Sequence, residues 1–169
     1  MSQSKKAWRK MSKKQWSDVH TANDFFTQHY KDAQKKLSEM IISSKAEVII
    51  EVGSGTGEPL AKILELNDKI KYGIGLDFNE DFIEYSRETF TDKRAIWVCG
   101  DACNLKEILE KEHPEIMKLP NKLVIVVGNT LGILPEEMRV PVLKQMSLTA
   151  GADGKVLLIN WRADKFGYA

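Results

Sequence analysis

Cysteine is scarce in this chain. Cys99 and Cys103 are the only two in 169 residues, too few for a disulfide framework. Histidine is scarce too: His20, His29 and His113 stand apart with no metal-ligand spacing, so no metal is expected. No apolar run approaches the roughly 20 residues that a membrane helix needs. No secretory apolar region follows the N-terminus either. These absences make a reduced, soluble, cytoplasmic protein the expectation. An excess of charge of one sign is also missing, since the formal net charge is only +1.

That balance conceals an asymmetry. Residues 1–36 hold nine Lys/Arg against three acids, so the remainder of the chain is acidic. A basic leader can be a solvated tail, or it can meet nucleic acid or an anionic membrane surface. Low acidity with some serine also fits a transit peptide, although a single arginine, Arg9, speaks against it. From Trp16 to Ile42 the pattern turns amphipathic, with Phe25, Phe26, Tyr30, Ala33, Leu37, Met40 and Ile41 mostly at three- and four-residue steps. Residues 1–44 therefore read as a basic leader and a helical segment. That segment either packs on the domain or forms a lid over a ligand mouth. Residues 45–169 read as one domain, long enough to bury a core.

The most informative stretch is Glu47–Leu64. Val48-Ile49-Ile50 is a β-branched run of strand length, and Leu60, Ile63 and Leu64 fall at helical spacing. Between them lie Gly53, Gly55 and Gly57. A strand, a glycine turn and a helix open a nucleotide-binding crossover, where the backbone turns sharply and a ligand approaches the main chain. Helix-terminal N–H groups are then expected to face the ligand. A glycine turn that binds nothing is the plainer alternative. A dinucleotide fingerprint requires glycine at the sixth position from Gly53, but Glu58 stands there, where a pyrophosphate would otherwise bind.

The alternation continues. Lys71–Leu76 predicts a second strand ending at Asp77, whose carboxylate can accept both hydroxyls of a ribose. Phe78 fits either an adenine face or the core. Asn79 is a plausible cap for a helix with Glu80 and Asp81 in its first turn. Ala95–Cys99 predicts a third strand, with Cys99 and Cys103 expected as small buried residues rather than a redox pair. Leu105–Glu112 predicts a helix, and Pro114 and Pro120 bracket a linker. Leu123–Val127 is apolar throughout, as a central parallel strand should be. A helix over Pro135–Met146 has Met138, Val142, Leu143 and Met146 as its core stripe, with Pro141 awkward inside it. Lys155–Asn160 is the fifth strand.

The pattern Glu51-x-Gly53-x-Gly55-x-Gly57 resembles motif I of the class I S-adenosylmethionine-dependent methyltransferases. That resemblance covers residues 48–131. It implies a Rossmann-like three-layer α/β/α sandwich with a mainly parallel sheet. It also implies S-adenosylmethionine as cofactor, S-adenosylhomocysteine as product, and a cofactor site of Glu51, Gly53, Ser54, Gly55, Gly57, Asp77, Phe78, Asp101, Ala102, Gly128 and Asn129. Asp101 and Ala102 match the pair that reads the adenine edge in that family. Members usually add two further strands, and this chain stops after the fifth. A fragment, a naturally short protein, or a partner or second copy completing the sheet edge would each account for that.

Gly128-Asn129-Thr130 with Leu134-Pro135 resembles, more weakly, the glycine N-methyltransferase group, and the Asn-Pro-Pro-Tyr type motif of nucleic-acid amino methyltransferases is absent. The likeness implies a small-molecule methyl acceptor, an amine or amino acid. Asn129 and Tyr30 would orient the acceptor nitrogen and Arg162 would clamp a carboxylate. Trp161 would offer a ring face to a cation. Two alternatives stay open: an RNA or protein methyltransferase using the basic N-terminus, and a catalytically silent S-adenosylmethionine-binding subunit.

Overall fold

The computed structural model describes Ser12, residues 35–128 and residues 130–159. Helix α1 covers residues 35–44. After it come β1 (Val48–Val52), α2 (Glu58–Leu66), β2 (Tyr72–Asp77), α3 (Glu80–Thr89) and β3 (Ala95–Cys99). A 3-10 turn (Ala102–Asn104) leads to α4 (Leu105–Glu112), α5 (Pro114–Met117) and β4 (Lys122–Val126). The rest is α6 (Thr130–Ile133), α7 (Glu136–Ala150) and β5 (Lys155–Leu158).

All five strands are parallel, in the spatial order β3-β2-β1-β4-β5. Chain order runs outward from β1 to β3, then returns to the other side of β1 for β4. Between β1 and β4 the crossovers diverge, and an open parallel sheet binds ligands at such a point, beyond the carboxyl ends of its strands. Burial explains the strand sequences: every residue of β1 and β4 is buried, so both read as unbroken rather than alternating runs.

Each face of the sheet carries its own core. Val48, Ile50, Val124 and Val126 pack beneath Leu105 and Leu109 of α4 and Val142 and Met146 of α7. Ile49 and Ile125 face the opposite way, onto Leu37 and Ile41 of α1, Leu60 and Leu64 of α2 and Ile83 of α3. Two packed faces around one sheet make the expected three-layer sandwich. Helix α1 sits on the leader side of residue 45, yet Leu37 and Ile41 are among its most buried side chains.

Several local expectations change. Helix α7 runs four residues beyond Met146 and passes through Pro141, which lies on its exposed side, where water can satisfy the carbonyl the ring leaves unpaired. Pro114 begins a helical turn instead of a linker; proline suits that position because a first-turn N–H has no intrahelical partner. Cys99 is exposed rather than buried, being the last residue of the edge strand β3, and Cys103 is half-buried. The fifth strand stops at Leu158.

Candidate functional site

The loop between β1 and α2 is held by its own amides. The Gly53 and Ser54 N–H groups donate to the Leu76 carbonyl at 2.7 and 3.1 Å, and Gly57 N–H donates to the Ser54 carbonyl at 3.0 Å. Gly55 N–H donates to Asp77 Oδ2 at 2.9 Å. These N–H groups shape the turn. Gly53 has φ +69, and a Cβ there would collide with the Thr130 methyl. The turn therefore needs glycine at Gly53 for both its backbone angle and its packing.

Asp77, the last residue of β2, is 7% exposed. Its Oδ1 accepts from Asn79 N–H at 2.9 Å and its Oδ2 from Gly55 N–H. The two oxygens have about four acceptor sites between them, more than these backbone donors fill. Burial pushes its carboxyl up, opposed by backbone N–H donors from Asn79, Gly55 and Phe78. The carboxylate is thus fixed by the loop and by the entry to α3 before any ligand arrives.

Beyond the strand ends lies an open cleft, lined by Val52, Gly53 and Gly55 from the first loop and by Leu76, Asp77, Phe78 and Asn79 from the second. Phe82 of α3, Gly100 and Ala102 after β3, and Thr130, Ile133 and Leu134 after β4 complete the wall. Most of the wall is apolar, with Asp77 as its carboxylate.

The expected cofactor residues divide accordingly. Gly53, Gly55, Asp77, Phe78 and Ala102 come together on the wall. Ser54 and Gly57 are buried behind the loop, with Gly57 against the rings of Trp97 and the hydroxyl of Ser86. Asp101 is not on the wall; its carboxylate caps the 3-10 turn by accepting from Cys103 N–H at 3.0 Å, while its neighbours Gly100 and Ala102 line the cleft. Gly128 is exposed with φ +70. Asn129, Tyr30, Trp161 and Arg162 lie outside the described residues. Ile133, Asn79 and Phe82 line the cleft without having been expected there, and Thr130, from the run Gly128-Asn129-Thr130 singled out in the sequence, lines it too.

Glu51 sits one layer deeper. It is 1% exposed, and its Oε2 is a buried oxygen with no hydrogen-bond partner. Burial first, then the nearby carboxylates of Asp77 and Glu58, push its carboxyl well above the usual range, against a hydrogen bond from the Leu60 N–H in the first turn of α2. Glu58, in the same first turn, is exposed and accepts from the Thr56 hydroxyl at 2.6 Å. No group of three or more metal-ligating side chains occurs among the described residues, and none of their helices is long and apolar enough to cross a membrane.

Solved structures share this architecture. A methyltransferase from Anabaena variabilis ATCC 29413 is 17% identical with a TM-score of 0.54, matching 68% of this chain and 44% of its own. One from Thiobacillus denitrificans, crystallised with S-adenosyl-L-homocysteine, is 16% identical with a TM-score of 0.54, matching 75% of this chain and 47% of its own. The plantazolicin methyltransferase BpumL, solved with a monoazolic desmethylPZN analog and SAH, is 16% identical with a TM-score of 0.60 over 86% of this chain and 52% of its own. At such identities the likeness establishes the fold, and the chain spans about half the length of the structures it matches. No curated protein matches the sequence. The family model described as "Histidine-specific methyltransferase, SAM-dependent" matches residues 19–165. With nearly its whole length inside that match, the chain belongs to the family of S-adenosylmethionine-dependent methyltransferases described as histidine-specific.

Proposed function

We propose that this chain binds S-adenosylmethionine in the cleft beyond β1–β4 and supports methyl transfer to the amine of a small molecule, histidine or a related amino acid. The observation that carries the reading is Asp77: a buried carboxylate, pinned by two backbone N–H groups, on the wall of an otherwise apolar cleft at the switch point of a parallel sheet. Family membership supports the same reading.

The residues present fit an adenosyl group. Asp77 keeps acceptor capacity beyond its backbone donors for a ribose hydroxyl, and Phe78, Ala102 and Leu134 offer apolar surface for the base. Gly53 lines the cleft beside Asp77, and the Glu51 Oε2 lies behind the loop without a hydrogen-bond partner. When bound, the cofactor supplies a methyl group already activated by its sulfonium. The protein's task is then to align the acceptor, keep it neutral at nitrogen and exclude water. In this reading Asn129 and Tyr30 orient the acceptor amine, Arg162 holds its carboxylate and Trp161 offers a ring face. The leader closes over the mouth. A truncation that tests the lid must stop before Lys35, because α1 belongs to the core.

Calorimetric titration with S-adenosylmethionine, S-adenosylhomocysteine and NAD in parallel tests the cofactor, and a screen of histidine, glycine and aromatic amino acids then tests the acceptor. Binding of the first two without NAD is the expected result. Silence toward all three at millimolar concentration overturns the proposal.

A further inference from the structure

Thr130 touches two loops at once. Its hydroxyl donates to the Val127 carbonyl at 3.0 Å, which fixes the first residue of α6 to the end of the β4 segment. Its methyl lies over Gly53, close enough that no Cβ fits between them, and its Oγ1 stands 3.3 Å from where that Cβ would be. Both residues line the cleft. Gly53 is itself tied through its N–H to Leu76, next to Asp77. A continuous packed path therefore runs from the carboxylate on β2, through the glycine loop, to the segment that follows β4.

We propose that the Thr130 methyl is a positioning element that locks the loop after β4 onto the glycine loop, so that a ligand held at Asp77 and Gly53 also orders residues 128–134. This rests on the cofactor reading above and adds a role for a residue that reading does not use. The physical basis is that packed side chains with little free volume transmit a displacement instead of absorbing it. A threonine can serve in two ways, through its methyl or through its hydroxyl, and the two make opposite demands on a substitution.

Amide hydrogen exchange of the full chain, with and without S-adenosylhomocysteine, reads the coupling directly, and calorimetry gives the affinity. In the parent protein the ligand is expected to slow exchange at residues 53–57 and at 128–134. Thr130→Val keeps the methyl and is expected to retain both protections and an affinity within about 2-fold. Thr130→Ser keeps the hydroxyl and loses the methyl. It is expected to keep protection at 53–57, lose it at 128–134 and bind about 5-fold or more weaker, the low end of coupling between linked sites. Thr130→Ser matching the parent while Thr130→Val fails would assign the effect to the hydroxyl and overturn the proposal. So would unchanged protection of 128–134 in both variants. Failure of the parent to bind S-adenosylhomocysteine removes the functional reading and this inference together; binding without coupling removes only the inference.

Discussion

Glu51 brings a carboxyl group to a position where burial and two neighbouring acids resist its ionisation. In the unfolded chain it titrates near the ordinary glutamate value of about 4.3. The folded chain therefore holds a proton that the unfolded chain has released. Stability from this group is fully present below the unfolded value and falls as pH rises toward the raised folded value. Asp77, also raised by burial, adds a slope of the same sign. Denaturant unfolding of the ligand-free protein at pH 5 and pH 8 is expected to show lower stability at pH 8, and Glu51→Gln is expected to flatten the difference. A variant that loses as much as the parent between the two pH values would show that Glu51 is not the group responsible. At this scale the sequence was partly legible. The sequence pattern and the family resemblance singled out Gly53, Gly55, Asp77, Phe78 and Ala102, which the structure brings together on one cleft. They did not reveal that Asp101 turns back to cap its own turn, or that Glu51 lies beneath the loop. Side-chain direction there is decided by hydrogen bonds to Cys103 and Leu60, which no periodicity encodes.

Asn79 joins a helix terminus to the site. Its side chain accepts from Phe82 N–H at 3.3 Å, capping α3, while its own N–H donates to Asp77. Asn79→Ala is expected to cost about 1 kcal/mol of stability, as the loss of an N-cap does. The backbone donor to Asp77 survives that change, so ligand affinity should fall less than with Asp77→Ala. Thermal unfolding and calorimetry of the two variants check this, and an Asn79→Ala protein of unchanged stability would remove the cap from the account. This cap was readable because an asparagine followed by two acids and an apolar stripe is a local signal. So were β1, β3 and α4, where hydrophobic period and burial agree. Helix α7 was harder. Pro141 suggests a break, yet it faces water, and Val142, Met146, Thr149 and Ala150 keep the buried stripe intact past the expected end. Tertiary burial outweighed a local breaker.

For the whole molecule, the order β3-β2-β1-β4-β5 decides both where the cleft opens and where the sheet is left bare. Among the described residues, β5 has a paired strand on one side only. Its Val156 and Leu158 are 38% and 43% exposed, more than a strand of the sheet interior would tolerate. Parallel order was legible from five strand-like runs separated by helix-length intervals, because such spacing leaves room only for crossovers. What meets the outer edge of β5 was not legible, since the sequence of an edge strand does not name its neighbour. An unpaired edge with exposed aliphatic side chains exposes backbone N–H and C=O groups to any second strand. Sedimentation of the purified 169-residue chain over a concentration series is therefore expected to show a mass that rises above 19.2 kDa. Val156→Lys should suppress that rise, because a charge on an edge strand disfavours edge-to-edge pairing. Both substituted and parent chains should keep the same far-ultraviolet circular dichroism and the same affinity for S-adenosylhomocysteine, as Val156 lies outside the residues that line the cleft. A parent chain that stays at its monomer mass throughout the series would show that the edge is already protected.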